Sequence, residues 1–410
     1  MGSDRKKEAD AMLTKKQLSR YADVLVWGMS KARSVPFKKH DIVVIRYDMP
    51  ATALAEVLYE KLLAAGRQVV LRAGQTAVME ETFYRCADAE QLVFLAPGDR
   101  ELIKNVNGNI SLLAPDSLTH LSTIDPMKIG KAAAARKPLR DILDKRESNG
   151  DFAWTLCLCP TAELARHAGL SLEDYTRQIV KACFLDKKDP TAHWETIFQK
   201  AAAIKKWLNS MEIKVLHIAS EHTDLEITPG KKRKWVGISG HNIPSFEIFL
   251  SPDWRGSRGV YFADMPSFRN GNPVRDMRVE FKDGKAVKVT ARAGQAFARK
   301  YLSTDPGAAR LGEFSLTDKR FSRIDKFMAN TLFDENFGGA NGNCHVALGA
   351  SYADTFAGNP AALTKTMKQQ LGFNDSAIHW DIVNTEKKRV TAVLENGEKT
   401  TIYENGKFTY

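Results

Sequence analysis

Near the end of the chain, "AIHWDIVN" (377–384) places His379 and Asp381 two positions apart, with Trp380 between them. In an extended strand, side chains i and i+2 point the same way. His379 and Asp381 then share one face, and Trp380 shares the other with Ile378 and Ile382. An imidazole and a carboxylate on a buried face are costly unless they pair with each other or with a cation. Other ligand-type residues lie upstream, where strand-like runs meet loops. Glu247 lies in "NIPSFEIFLSP", Glu313 in "RLGEFSL", Glu335 in "LFDENFGG" and His345 in "NCHVALGASY", with Tyr352 seven residues further on. Carboxylates flanked by apolar residues, as in "FEIF" and "GEFSL", point to burial, and a buried carboxylate must be paired or bind metal. A mixed Glu, Asp and His set with no Cys suits zinc, cobalt or manganese, with harder ions such as magnesium possible. More than four oxygen and nitrogen ligands call for two ions. An ion pair that shares a carboxylate polarises a carbonyl and acidifies water, which is hydrolase chemistry.

The elements that position these residues divide the chain. "DIVVIRY" (41–47) is a continuous apolar run, the pattern of a strand buried on both faces. "PATALAEVLYEKLLAAG" (50–66) follows as a helix with Leu54, Val57, Leu58, Leu62 and Ala65 on one side, Pro50 in its first turn and Gly66 at its stop. "RQVVLR" (67–72) is the next strand, completing a βαβ unit and implying a parallel sheet. "LSLEDYTRQIVKACF" (170–184) and residues 190–211 are helices, with Ser171 and Asp174 resembling a capping box. After residue 212, strand-like runs such as "IKVLHIA", "TDLEIT", "KWVGIS" and "GVYFAD" alternate with turns. "KDGK", "ENGE" and "ENGK" carry hairpin signals. The expected fold is therefore α/β: an N-terminal α/β domain with a parallel sheet (1–212), and a β-rich α+β domain (213–410) that carries the metal site. The glycines of "FGGANGN" (337–343) predict a mobile loop beside that site.

Composition excludes several classes. No run of about 18 apolar residues is present, so no transmembrane helix is expected. The polar N-terminal stretch lacks the apolar core of a secretory signal, giving a cytoplasmic expectation. The five cysteines form no zinc or redox pattern and are expected to be reduced. The net charge of +11 invites a nucleic-acid reading, but Lys and Arg are scattered from end to end. The densest group, "GKKRKW" (230–235), reads as a solvated turn.

"NIPSFEIF…GVYFADMP", "RLGEFSL", "TLFDEN…CHVALGASY" and "IHWDIV" resemble, in order, the signatures of the aminopeptidase T / aminopeptidase S family of thermophilic metallo-aminopeptidases. "YADVLVWGMS", "AGLSLEDYTRQIVKACFLD" and "HTDLEIT…KW" extend the resemblance over most of the chain. It implies a two-metal exopeptidase that releases N-terminal residues from peptides with a free N-terminus. It further implies Glu247, Glu313, His345, His379 and Asp381 as ligands, Glu335 as a further one, Tyr352 close to the metals, Glu313 as proton relay or bridge, and a homodimer. The alternatives are a metal-dependent amidase or esterase with the same site, and a non-catalytic metal-binding protein of the same fold.

Overall fold

In a computed structural model, residues 12–269 and 272–410 are described. They divide into two compact units. The first comprises residues up to Trp194 together with Ser239–Pro244, and the second comprises Glu195–Ile238 and Ser245–Tyr410.

In the first unit, α1 (Lys15–Ala32) begins at Thr14, whose hydroxyl accepts from Gln17 N while the Gln17 side chain returns to Thr14 N, a complete capping box. β1 (Ile42–Tyr47) and α2 (Thr52–Ala64) follow. The buried stripe of α2 is Leu54, Ala55, Leu58 and Leu62, and Gly66 (φ 73°) ends it. Pro50 sits in a separate turn of 3-10 helix just before it. β2 (Gln68–Ala73), β3 (Gly108–Leu113), β4 (Ala153–Leu158) and the short β7 (Asn242–Ile243) complete a sheet in the order β2-β1-β3-β4-β7. Every pairing in it is parallel. α3 (Leu172–Ala182) is capped by Ser171, whose hydroxyl accepts from Asp174 N at 3.0 Å.

The long helix α4 (Pro190–Asn209) contains the division between the units. The second unit is mostly antiparallel. β5 (Ile213–Ala219), β6 (Asp224–Thr228), β9 (Asp253–Ala263), β12 (Met277–Lys282), β13 (Lys285–Thr290), β17 (Arg389–Leu394), β18 (Lys399–Glu404) and β19 (Lys407–Phe408) form an eight-stranded sheet. Two of its hairpin turns, Asp283-Gly284 and Asn405-Gly406, have positive φ at both residues, which is why the Asp-Gly and Asn-Gly pairs mark them. β10 (Ser267–Arg269) and β11 (Asn272–Val274) form a separate hairpin. A third sheet has the order β16-β15-β14-β8, built from β8 (Glu247–Leu250), β14 (Leu311–Thr317), β15 (Asn343–Gly349) and β16 (His379–Asn384). A short helix α5 (Thr331–Asp334) precedes β15.

Two expectations change. "KWVGIS" does not form a strand: Val236 makes a single bridge to Phe249, and Gly237 (φ 123°) turns the chain out of the extended run. The 337–343 stretch is tied down rather than free. Gly338 N and Gly339 N donate to Ile324 O at 2.8 and 3.1 Å, and Asn343 Nδ2 donates to Phe337 O at 2.6 Å. A Cβ on Gly342 would lie 2.0 Å from the Tyr403 hydroxyl, so glycine serves close packing there.

Candidate metal centre

The four-stranded sheet sorts its side chains by the two-residue period. On one face, Ile248, Leu250, Phe314, Leu316, Cys344, Val346, Leu348, Trp380 and Ile382 are all buried. The other face carries Glu247, Glu313, His345, His379 and Asp381. The register brings these together. Ala347 lies opposite both Glu313 and Asp381, Gly349 lies opposite His379, and His345 sits one row away, opposite Ser315 and Val383. The small Ala347 and Gly349 leave the middle of the face open for the longer side chains around them. A bulge between Leu311 and Glu313, with Gly312 as the extra residue, keeps Leu311 on the apolar side while Glu313 points to the polar side. At Gly312 a Cβ would meet Ala350 O at 2.3 Å.

His345 Nε2 is 3.1 Å from Glu313 Oε1, 3.3 Å from Glu247 Oε2 and 4.0 Å from Asp381 Oδ1. His379 Nε2 is 3.2 Å from Asp381 Oδ1 and 3.7 Å from Glu313 Oε2. Two triads of metal-ligating geometry result, Glu247–Glu313–His345 and Glu313–His379–Asp381, and Glu313 belongs to both. His379 Nδ1 lies 2.9 Å from Ala350 O. That carbonyl can only accept, so Nδ1 carries a proton and Nε2 faces the cluster, where its lone pair is available to a cation once Nε2 is deprotonated.

Glu335 is buried at the C-terminal end of α5 and belongs to neither triad. Its backbone carbonyl accepts from Thr317 Oγ1 at 3.2 Å and Asn343 Nδ2 at 3.1 Å, which fastens it beside the ends of β14 and β15. The Tyr352 ring packs 4.7 Å from the His379 ring and 6.0 Å from Phe249, and its backbone N donates to Ser251 Oγ at 2.8 Å. Trp380 packs on the far face against Tyr301 at 5.5 Å and Phe297 at 6.3 Å, and its Nε1 donates to Ser267 Oγ at 2.9 Å.

Crowding so many ionisable groups moves their proton affinities. Burial, helped by Glu313 and Asp381, pushes the Glu247 carboxyl up to about 8. Burial and the surrounding carboxylates raise Glu335 well above its usual range. Burial alone would lower His345 and His379. For His345 the hydrogen bond its Nε2 donates to Glu313 with the Glu247 charge, and for His379 its pairing with Asp381, outweigh burial and bring both up to about 9. Burial would raise Asp381, but His379, His345 and Arg269 hold it well below the ordinary carboxylate range. Tyr352 is 46% exposed as a residue, yet desolvation of its phenol and the nearby carboxylates raise the hydroxyl well above its usual value.

Protons alone leave this cluster incompletely satisfied: Glu313 Oε2 and His345 Nδ1 are buried with no hydrogen-bond partner. An oxygen of the shared carboxylate, unpaired between two triads, is what divalent cations would satisfy, so the donor set fits them. Sequence reasoning did not single out Arg269, whose Nη2 donates to His379 O at 2.5 Å and whose Nε donates to Tyr301 Oη at 3.0 Å. It also passed over Asn336, whose Oδ1 accepts from Phe246 N at 2.5 Å and ties the Glu247 strand to the α5 turn. Asn336 stands within the quoted "DEN", a signal that could have found it. Arg269 lies in a three-residue strand with no such signal.

A two-unit α/β fold with a buried carboxylate–imidazole cluster on an antiparallel sheet fits a metal-dependent hydrolase. The chain belongs to the thermophilic metalloprotease (M29) family, whose model matches residues 14–408. It is 25% identical over 425 residues to aminopeptidase PepS of Streptococcus thermophilus, covering 96% of this chain and 98% of that one. It is 28% identical over 310 residues to aminopeptidase T of Thermus thermophilus, covering 70% and 73%. In fold it is similar to the solved structure of wild-type AmpT from Thermus thermophilus, with a TM-score of 0.78 and 23% identity over 97% of this chain and 100% of that one.

Proposed function

We propose that this chain is a dinuclear aminopeptidase that releases residues from peptides with a free N-terminus, and that residues 213–410 form its catalytic domain. The observation that carries the reading is the pair of triads sharing Glu313. Glu247, Glu313, His345, His379 and Asp381 would hold two divalent ions, zinc, cobalt, manganese or magnesium, with Glu335 bordering them. Bound there, such ions supply Lewis acidity that polarises a carbonyl and brings a water's pKa toward 7.

The chain's own groups do the rest. The Ala350 carbonyl fixes the His379 tautomer and ring orientation. Glu313, whose Oε2 has no hydrogen-bond partner in the protein, would either bridge the ions or take the proton released as the nucleophile forms and pass it to the leaving amine. Tyr352, with its phenol raised, stays protonated at neutral pH and donates to the oxyanion that develops on the substrate carbonyl. The apolar backing of the sheet keeps the ligand-bearing strands rigid.

All five cysteines are free, and four are buried, which fits a reducing compartment, and we place the protein in the cytoplasm. Among the described residues no helix is long and apolar enough to cross a membrane. A homodimer rests on the family resemblance.

The test is turnover of aminoacyl-arylamides by metal-loaded protein, with the amine free or acetylated. Hydrolysis of the free-amine substrates alone is expected. Equal hydrolysis of both forms assigns an amidase, and no hydrolysis of either removes the enzymatic reading.

A further inference from the structure

The "GKKRKW" cluster is not absorbed by the metal centre. It borders a groove of about 830 Å³ in the second unit, floored by Trp235, Leu250 and Leu371. The groove's walls carry six Lys and Arg against three Asp and Glu. Two of the cations are committed elsewhere. The Arg233 guanidinium donates to Ser251 O at 2.6 Å and Leu371 O at 2.8 Å and lies 3.4 Å over the Phe373 ring. Arg255 pairs with Asp253 at 2.6 Å. Among the described residues, Lys214, Lys231, Lys232 and Lys234 have no carboxylate within ion-pair distance. Three of these four ammonium groups come from four consecutive residues. Cations that line one groove with no carboxylate paired to them favour an occupant with several negative charges.

The lip is also fastened to the segment that carries Tyr352. Lys234 N donates to Thr355 O at 2.8 Å, and Ala357 N donates to Lys232 O at 2.9 Å. Ser251, whose carbonyl holds Arg233, receives the Tyr352 N–H on its hydroxyl. Thr355 follows Tyr352 by three residues, at most roughly 11 Å of chain. A peptide whose scissile bond lies at Tyr352 would span that length of backbone with about three further residues.

We infer that this groove is an exosite for acidic stretches of peptide substrates, lying a few residues downstream of the bond that is cut. The inference rests on the aminopeptidase reading for its source of ligand. The shared chemistry is a run of closely spaced anionic groups, which a polyphosphate also offers.

The probe is a fluorescent N-acetyl-hexaglutamate, which the aminopeptidase reading predicts is not hydrolysed. It is titrated against metal-loaded wild type, against the triple variant Lys231→Gln, Lys232→Gln, Lys234→Gln, and against the corresponding triple Lys→Arg variant. Tripolyphosphate and an acetylated alanine peptide of equal length are the comparison ligands. The account expects the acidic peptide to bind wild type, to lose about tenfold in affinity in the Gln variant, the scale of three exposed ion pairs, and to retain it in the Arg variant. It expects the binding to weaken with salt. Turnover of a small aminoacyl-arylamide stays unchanged in both variants. A peptide with acidic residues at positions five and six loses its kcat/KM advantage over a neutral one in the Gln variant, through KM. No binding of the acidic peptide, binding unaffected by the Gln changes, or binding of tripolyphosphate alone overturns the proposal. If the acetylated peptide binds as expected but no arylamide is cut, the aminopeptidase reading fails and the groove stands.

Discussion

Among the described residues, two clusters in the second unit satisfy the same distance requirement for holding a cation, and one of the two is built to need it. Glu221, His222 and Glu386 bring three ligand atoms within 4.8 Å of one another, as the two triads around Glu313 do. In the surface cluster the hydrogen bonds close. Glu386 accepts from Ser220 Oγ, His222 N, His222 Nδ1 and Asn384 Nδ2, and His222 is half-exposed. Around Glu313 they do not: buried carboxylates outnumber the imidazoles, and Glu313 Oε2 has no hydrogen-bond partner. Proximity alone makes an ion pair. Proximity with burial and an unanswered lone pair makes a site that calls for an external charge.

The comparison breaks most readily at Glu313. Glu313→Gln keeps the volume and removes the charge shared by both triads. Activity should fall by at least about 10²-fold with the fold retained by circular dichroism. Activity within a few-fold of wild type sinks the central role of Glu313.

Next in size are His379→Ala and Asp381→Asn. Each removes a ligand atom from one triad, and metal affinity measured by competition with a chelator should drop at least tenfold, the lower end of what even outer-shell changes cost. Trp380→Phe is the control on the same strand. It should cost roughly 1–3 kcal/mol in denaturant unfolding, less than a full truncation to Ala, and leave metal content intact. Metal loss in Trp380→Phe with none in the ligand variants would invert the assignment of the two faces.

The pH dependence of the metal-free protein follows from the same crowding. His345 and His379 rise from 6.5 to about 9, so their stabilisation is full below pH 6.5 and is lost as pH rises through 9. Glu247 rises from 4.5 to about 8, so the folded state holds a proton there that the unfolded chain releases, and stability again falls between those values. Chelator-treated protein should therefore lose Tm between pH 6.5 and 9. Metal-loaded protein, with cations in place of the protons, should lose less. Equal pH profiles with and without metal would contradict this.

How much of this could be read beforehand depended on whether the signal was local. The period of two in "IHWDIV" separates His379 and Asp381 from Trp380 without any tertiary knowledge. Apolar flanks announced the burial of Glu247 and Glu313, and the Asp-Gly and Asn-Gly turns announced their hairpins. What stayed hidden depends on contacts across the sequence. The bulge at Gly312 that aims Glu313 exists only against β15. Gly342 of "FGGANGN" looked like freedom because the Tyr403 hydroxyl it packs beside lies 61 residues away. Arg269 holds the start of β16 across 110 residues. Glu335 carried a ligand's signature, yet the helix end that fixes it leaves its carboxylate at the border of the triads.

The smallest expected effect is on the surface cluster. His222→Gln or Glu386→Gln should leave metal stoichiometry and kcat/KM unchanged and shift stability by no more than about 0.5 kcal/mol. A lost equivalent of metal in either would make the surface triad a site in its own right.

The most direct measurement is elemental analysis of protein reloaded with zinc, cobalt or manganese and then mildly dialysed, wild type beside Glu313→Gln. The account predicts about two equivalents per chain in wild type, the number a shared-carboxylate site holds, and fewer in the variant. A wild-type value near zero, or two equivalents kept undiminished in Glu313→Gln, would contradict it.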